Sequence, residues 1–276
     1  MTENAALDHL GIAVRQIEPL LALFRQLGFA PTAPRELQRL NDHGQLEPLG
    51  QVSAHLVFAD TYVELSAVPD PASGNHLEPF LDRYQGLHIL ALRSPDLDAA
   101  RQQCTAAGLH PSELQQAGRR IEYGDRHGDA RFRWWMLPAD ELPDGLLCHV
   151  DNQTPELVFQ PAVQAHPNGA LGVTGVIVNT PQLAEATRRW ERALGGLSAE
   201  AGRFLLSNAS IELLDLSSLR PALPIGLAGL AIRVGAMEPV RERIGNSGCV
   251  VLKETSATLT LRLPPPANAL LVFHTD

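Results

Sequence analysis

The residues of this chain best suited to chemistry are histidines set alone in apolar strands. His9 lies in Leu7-Asp8-His9-Leu10-Gly11-Ile12-Ala13-Val14. With strand alternation His9, Gly11 and Ala13 share one face, while Leu10, Ile12 and Val14 share the other. The branched face is suited to packing on a helix, which leaves the imidazole lining a hollow where it can ligate a metal or carry a proton. Gly86-Leu87-His88-Ile89-Leu90-Ala91-Leu92 is a second strand of the same kind, with His88 at the corresponding place. Strands at 171–178 and 227–234 repeat the pattern without a histidine.

Each of these strands is followed by a helix that ends at glycine. In the first, Leu20, Leu23, Phe24 and Leu27 fall at i, i+3, i+4 and i+7, Pro19 suits the first turn and Gly28 the stop. Ser94-Pro95-Asp96 starts a second helix, over 97–107, that Gly108 ends. Helices over 181–194 and 237–244 end at Gly195 and Gly245. Strands follow each one, at 51–58 and 61–66, near 119–123, 131–137 and 146–150, at 203–207 and 210–216, and at 249–254, 258–263 and 270–274. The polar stretch 35–50 reads as a connection, with a turn or mobile loop at Asn41-Asp42-His43-Gly44. A short linking helix is expected over 77–84, and His166-Pro167-Asn168-Gly169 reads as a connector.

The spacing supports an internal repeat, with 19 residues from His9 to Gly28 and 20 from His88 to Gly108. Four units of strand, helix and further strands imply an α+β fold in which paired units enclose half-barrel cavities. The length of 276 residues accommodates two such pairs. A net charge of −9 argues against a nucleic-acid partner, whose phosphates demand a basic surface. The N-terminus lacks a basic and apolar leader, and no apolar run approaches the roughly 20 residues of a membrane span, so a cytoplasmic location without a membrane partner is expected. Cys104, Cys148 and Cys249 fit neither a disulfide framework nor a zinc-finger spacing.

Three segments carry a family resemblance: the strand around His9, the helix ending Leu27-Gly28-Phe29, and Tyr62-Val63-Glu64-Leu65. Together they resemble the vicinal oxygen chelate superfamily, which includes glyoxalase I, bleomycin-resistance proteins and extradiol dioxygenases. Residues 7–178 are similar to its glyoxalase-like domain group, in which a His-Pro-Asn-Gly segment precedes the third unit. The resemblance implies four βαβββ units paired into two half-barrel domains. One would span 1–168, with units 7–68 and 86–158 and the metal site, and the other 169–276. It also implies one divalent ion (Zn, Fe, Mn, Ni or Co) held by side chains of the first and last strands of two paired units. Carried onto this chain, those positions are His9, Glu64, His88 and His149. The separations of 55 and 61 residues within the two units agree, as does the shared face of Tyr62, Glu64 and Ser66. Should the last strand be shifted, Asp151 or Glu156 replaces His149. The plain alternative is that each histidine is a hydrogen-bonded core residue.

Such a centre would act on a small vicinal-oxygen substrate by lyase or isomerase chemistry, with Glu64 as the catalytic base. The alternatives are an extradiol-type dioxygenase and a metal-free protein that captures a small molecule. Tyr62, His166, Asn168 and Trp135 are candidate substrate contacts, the two loop residues being equally well read as connector. Arg126, His127, Arg131 and Arg133 could hold an anion or simply form a charged hairpin. The third and fourth units place Val173 and Ala228 where the histidines would stand and keep only Glu212. They are therefore expected to be a scaffold that packs on the first half, closes its cavity or makes a homodimer of an otherwise monomeric protein.

Overall fold

The computed structural model describes residues 5–40, 46–220, 222–245 and 247–275, without the side chains of residues 39, 40 and 46. The expected turn at 41–44 lies outside the described residues. The first half runs β1 (Ala6–Val14), α1 (Ile17–Gln26), β2 (Arg35–Leu40), β3 (Leu46–Val57), β4 (Tyr62–Ala67), α2 (Glu78–Leu81), β5 (Gly86–Arg93), α3 (Leu97–Ala106), β6 (Gln115–Ile121), β7 (Gly128–Met136) and β8 (Leu146–Asn152). The second runs α4 (Pro155–Val158), β9 (Ala170–Asn179), α5 (Leu183–Ala193), β10 (Arg203–Leu205), β11 (Ser210–Leu214), β12 (Gly226–Val234), α6 (Glu238–Ile244), β13 (Val250–Glu254), β14 (Thr258–Arg262) and β15 (Leu270–His274).

The helices form where the periodicity places them. Ile17, Leu20, Leu21, Leu23 and Phe24 are the buried face of α1, and Gly28 takes φ +79° beyond its end. Asp96 caps α3 by accepting a hydrogen bond from the Ala99 amide at 2.9 Å. The eight strands of the first half close into a barrel in the order β1-β4-β3-β2-β6-β7-β8-β5. Strand β1 is parallel to β4, with Gly11 opposite Glu64, and antiparallel to β5, with Leu10 opposite Leu90.

Closure depends on β2, which lies in the stretch read from sequence as a polar connection. Gln38 and Arg39 pair with Gly118 and Ala117 of β6, so the strand joins the two units into one sheet. Its polarity is that of an antiparallel strand with one face in water, which resembles a loop in composition. The other seven strands form an open sheet, β10-β11-β9-β12-β15-β14-β13. The third unit has two strands after its helix where the first two units have three.

One apolar cluster joins both sheets through Leu10, Phe24 and Leu65 of the barrel side and Trp190, Phe204 and Phe273 of the other. Phe29 stacks on Phe273 with ring centroids 5.9 Å apart. The second half thus packs against the helical and outer faces of the barrel and leaves its interior to the first half. No helix among the described residues is long and apolar enough to cross a membrane.

Candidate active site

The barrel encloses a cavity of about 80 Å³. Its polar lining comes from His9 on β1, Gln51 on β3, Tyr62 and Glu64 on β4, Arg119 on β6, and His76 from the segment between β4 and α2. Burial lowers the His76 pKa to about 4. Apolar walls come from Ile89, Phe132, Leu146 and their neighbours. Gly11 is required at the β1–β5 seam, since a Cβ there would sit 2.5 Å from Cδ1 of Ile89.

His9 and Glu64 are brought together. The His9 Nδ1 lies 2.8 Å from Oδ1 of the buried Asp8, and its Nε2 lies 3.6 Å from Oε2 of Glu64. With Nδ1–H donating to Asp8, Nε2 is left as the group that can accept or give a proton. Glu64 Oε1 accepts from Gln51 Nε2 at 2.8 Å, from Ser53 Oγ at 2.7 Å and from Ser66 Oγ. Its Oε2 faces the imidazole and makes none of these bonds. Burial raises the Glu64 pKa, but the charge of His9, the Ser66 and Ser53 hydroxyls and the Arg119 guanidinium outweigh burial and hold it below the usual value. The carboxylate is therefore ionised at neutral pH, with one oxygen anchored and one available. Tyr62 stacks on His9, centroids 4.3 Å apart, and burial keeps its phenol protonated.

His88 and His149 do not join them, and the expected four-ligand set is not assembled. His88 faces outward, with Nε2 2.7 Å from the Tyr84 carbonyl and the ring against Tyr84 and Phe80. His149 stacks on Trp135 at 4.2 Å and bonds through Nδ1 to Ser94 Oγ at 2.6 Å, on the side facing α3 and the second half. The cause is a register slip of one residue. Leu10 opposite Leu90 relates the two units by 80 residues, so Ile89 stands where His9 does and Cys148 where Glu64 does. Both of those residues line the cavity. A slip of one residue in a strand turns every side chain to the other face. Asp151 and Glu156, the alternatives to His149, do not line the cavity either.

These outward histidines are neutral core residues with a measurable consequence. Burial lowers the pKa of His88 to about 4 and that of His149 to about 3. Both lie below the value of roughly 6.5 in an unfolded chain, so the stability they contribute is complete above that pH and is lost as pH falls toward their folded values. At pH 5.5 each should cost about 1 kcal/mol relative to pH 7.5. Urea midpoints at the two pH values check this, and an unchanged midpoint would mean that the rings are protonated in the folded protein.

The remaining candidates divide. Tyr62 lines the cavity, but Trp135 does not, because its Nε1 donates to the Leu97 carbonyl at 3.0 Å and the adjacent Trp134 takes the cavity wall. His166 accepts from the Ala30 amide at 3.1 Å and reaches the Val57 carbonyl, also at 3.1 Å. Asn168 bonds the Leu27 carbonyl and the Ala170 amide. Both residues are buried, with these polar atoms satisfied by main chain, so they are clips that fasten the connector to the end of α1. Arg126, His127 and Arg131 are exposed, and Glu212 pairs with Arg203 at 3.3 Å.

Of the cavity residues absent from the sequence reading, which include Gln51 and His76, the charged one is Arg119. The signal for it is parity: it sits two residues from Ala117 and two from Ile121, both buried, where an apolar side chain is expected.

A divalent ion needs at least three protein ligands in the usual catalytic sites. The cavity lining holds two imidazoles, His9 and His76, and one free carboxylate oxygen, since Oε1 of Glu64 is taken by three donors, and a guanidinium lines the same space. Among the described residues no three His, Cys, Asp or Glu side chains are grouped to hold a metal. Burial raises the Cys148 thiol well above its ordinary value, which does not favour the thiolate a metal would require. The side chains present do not fit the expected ion.

The glyoxalase-like domain family matches residues 7–194. No curated protein matches the sequence. A hypothetical protein from Staphylococcus aureus has a similar structure over 98% of this chain and 99% of its own, at 10% identity and a TM-score of 0.63. A mutant of 4-hydroxymandelate synthase from Streptomyces coelicolor aligns with 99% of this chain and 93% of its own, at 12% identity and a TM-score of 0.58. A fusion of a xylose isomerase-like TIM barrel with 4-hydroxyphenylpyruvate dioxygenase aligns over 99% of this chain and 49% of its own, at 12% identity and a TM-score of 0.59. These likenesses show the vicinal oxygen chelate fold expected from the sequence.

Proposed function

Since this chain belongs to the glyoxalase-like domain family, we propose that its barrel cavity carries out proton-transfer chemistry, of isomerase or lyase type, on a small oxygenated organic molecule. The observation that carries this reading is the Glu64 carboxylate, fixed through Oε1 by three donors and presenting Oε2 to His9 Nε2 at 3.6 Å. A base held this way pays little reorganisation when it accepts a proton.

The steps use this chain's own groups. Glu64 Oε2 takes a proton from a carbon beside a carbonyl, and the electron pair left behind moves onto the carbonyl oxygen. The Tyr62 hydroxyl, kept protonated by burial, is a donor in the same cavity for that developing charge. His9, oriented by Asp8, relays the proton between Glu64 and the substrate. Return of the proton to the same carbon, to its neighbour or to oxygen completes an epimerisation or an isomerisation. The apolar walls exclude bulk water from the exchange.

A metal-dependent reaction is not part of this reading, because among the described residues no three His, Cys, Asp or Glu side chains are grouped to hold an ion. The dioxygenase alternative needs two histidines and a carboxylate facing one point, and although His9, His76 and Glu64 all line the cavity, they are not grouped to hold an ion. Capture of a ligand without turnover is the second reading, favoured by the apolar walls.

The two are separated by following carbon-bound protons of 2-oxobutanoate, pyruvate and hydroxyacetone by NMR in D2O. Wild-type protein is expected to accelerate exchange of at least one of them, and His9→Gln to slow it about tenfold or more. Binding without exchange of any compound would establish capture and overturn the proton-transfer reading.

A further inference from the structure

The geometry points to the Nε–Nη2 edge of Arg119 as the docking fork for a substrate carboxylate, which makes the ligand of the barrel an organic acid. The inference rests on the barrel being the site of the reaction proposed above.

Arg119 is only 6% exposed. Its Nη1 donates to Nε2 of His55, whose pKa burial, Arg119 and His9 push well below the ordinary value, so that the ring is a neutral acceptor. The guanidinium carbon lies over the rings of Tyr62 and Phe132, with centroids 5.6 and 5.4 Å away. Nε and Nη2 are buried and meet the geometry of no hydrogen bond among the described residues; the Tyr123 hydroxyl, the polar group near the guanidinium, donates to the Val158 carbonyl instead. No carboxylate among the described residues lies within ion-pair distance of the guanidinium. A buried charge is normally paired, because leaving one without a partner is strongly unfavourable.

The unpaired atoms lie on one edge, and that edge has a definite partner chemistry. Nε–H and Nη2–H are parallel and match the two oxygens of a carboxylate. Arg189 uses the same edge on Asp144, at 2.9 and 3.0 Å. For Arg119 no equivalent partner is found among the described residues.

Arg119 lines two spaces, the main cavity of about 80 Å³ and a smaller one, shared with Thr32 and Tyr123, of about 20 Å³. Glu64 and His9 line the main cavity with Arg119. An oxo or hydroxy acid held by its carboxylate at Arg119 would therefore lie in the space that the proton-transfer pair shares.

The test uses the full-length protein, nitrogen-15 labelled, with butanoate and its uncharged counterpart butanamide as probes. Butanoate is expected to move the Arg119 Nε–Hε resonance, identified by its loss in Arg119→Lys, and to raise the melting temperature, while butanamide at equal concentration does neither. Arg119→Met should weaken butanoate binding about tenfold or more, the usual range for a hydrogen-bonded charge. Should Arg119→Met not fold, the wild-type resonance decides alone. Equal responses to the two probes, no response to butanoate at about 100 mM, the scale of a very weak ligand, or undiminished butanoate affinity in a folded Arg119→Met would overturn the proposal. Exchange of hydroxyacetone protons as fast as those of 2-oxobutanoate would remove the carboxylate fork and leave the proton-transfer reading intact. Butanoate binding through Arg119 with no exchange of any compound would do the reverse.

Discussion

Replacing Glu64 with glutamine is expected to reduce proton exchange in the barrel by about 10²- to 10⁴-fold, the usual contribution of a positioned general base. That is about 3–5 kcal/mol of transition-state stabilisation. Glutamine keeps the shape and a carbonyl oxygen, so the donors from Gln51, Ser53 and Ser66 retain their acceptor. What disappears is the free oxygen that faces His9 at 3.6 Å. The variant should therefore fold and bind probe as wild type does, with a urea midpoint close to the wild-type value. Exchange rates of 2-oxobutanoate and urea titrations on the same preparations check both halves. Exchange within about threefold of wild type, much less than any general base supplies, would make Glu64 a tie between β3 and β4 and move the base elsewhere.

Gly226→Ala should be among the most destabilising single changes in the chain, costing at least about 3 kcal/mol. Gly226 has φ +112°, and a Cβ there would meet the Asp144 carbonyl oxygen at 2.2 Å and its carbonyl carbon at 3.0 Å. Those atoms cannot step aside easily. The Asp144 carbonyl accepts from the Leu227 amide at 2.7 Å, and its carboxylate is gripped by Arg189 of α5. This seam fastens the loop before β8 to the first strand of the fourth unit, so strain there loosens the barrel from the second sheet. Positive φ alone costs a residue with a Cβ about 1–2 kcal/mol. Gly235→Ala is the control, since a Cβ there meets nothing within 4 Å. Thermal unfolding of the two variants, with Gly235→Ala near wild type and Gly226→Ala lower by about 6–12 °C on the usual scale, is the expected result. Equal melting temperatures would show that the seam yields without cost.

Glycine is legible at the helix stops for the same local reason that the repeats are. Gly28, Gly108 and Gly195 adopt left-handed conformations beyond their helices, which a side chain disfavours and which leave a mark in sequence. The apolar spacing of α1 and the alternation of β1 are equally local, because each depends on residues within two turns or one strand. For that reason the four units, their order and the cavity face of His9, Tyr62 and Glu64 could be read directly from the chain.

Pairing between distant strands is not local, and there the tertiary structure decided. His9 stands 19 residues before Gly28, whereas the residue 19 before Gly108 is Ile89, with His88 one further. That single residue separates an imidazole lining the cavity from a ring packed on Tyr84, and only the β1–β5 register resolves it. The same holds for β2, whose polar face hides a strand until β6 supplies the partner. Arg119 shows the converse: its strand was legible, but its orphaned Nε–Nη2 edge exists only because His55, Tyr62 and Phe132, brought from three other strands, pack against the guanidinium. Local periodicity determines which side chains share a face. Long-range register determines which faces meet, and so which polar atoms are left without a partner for a ligand to complete.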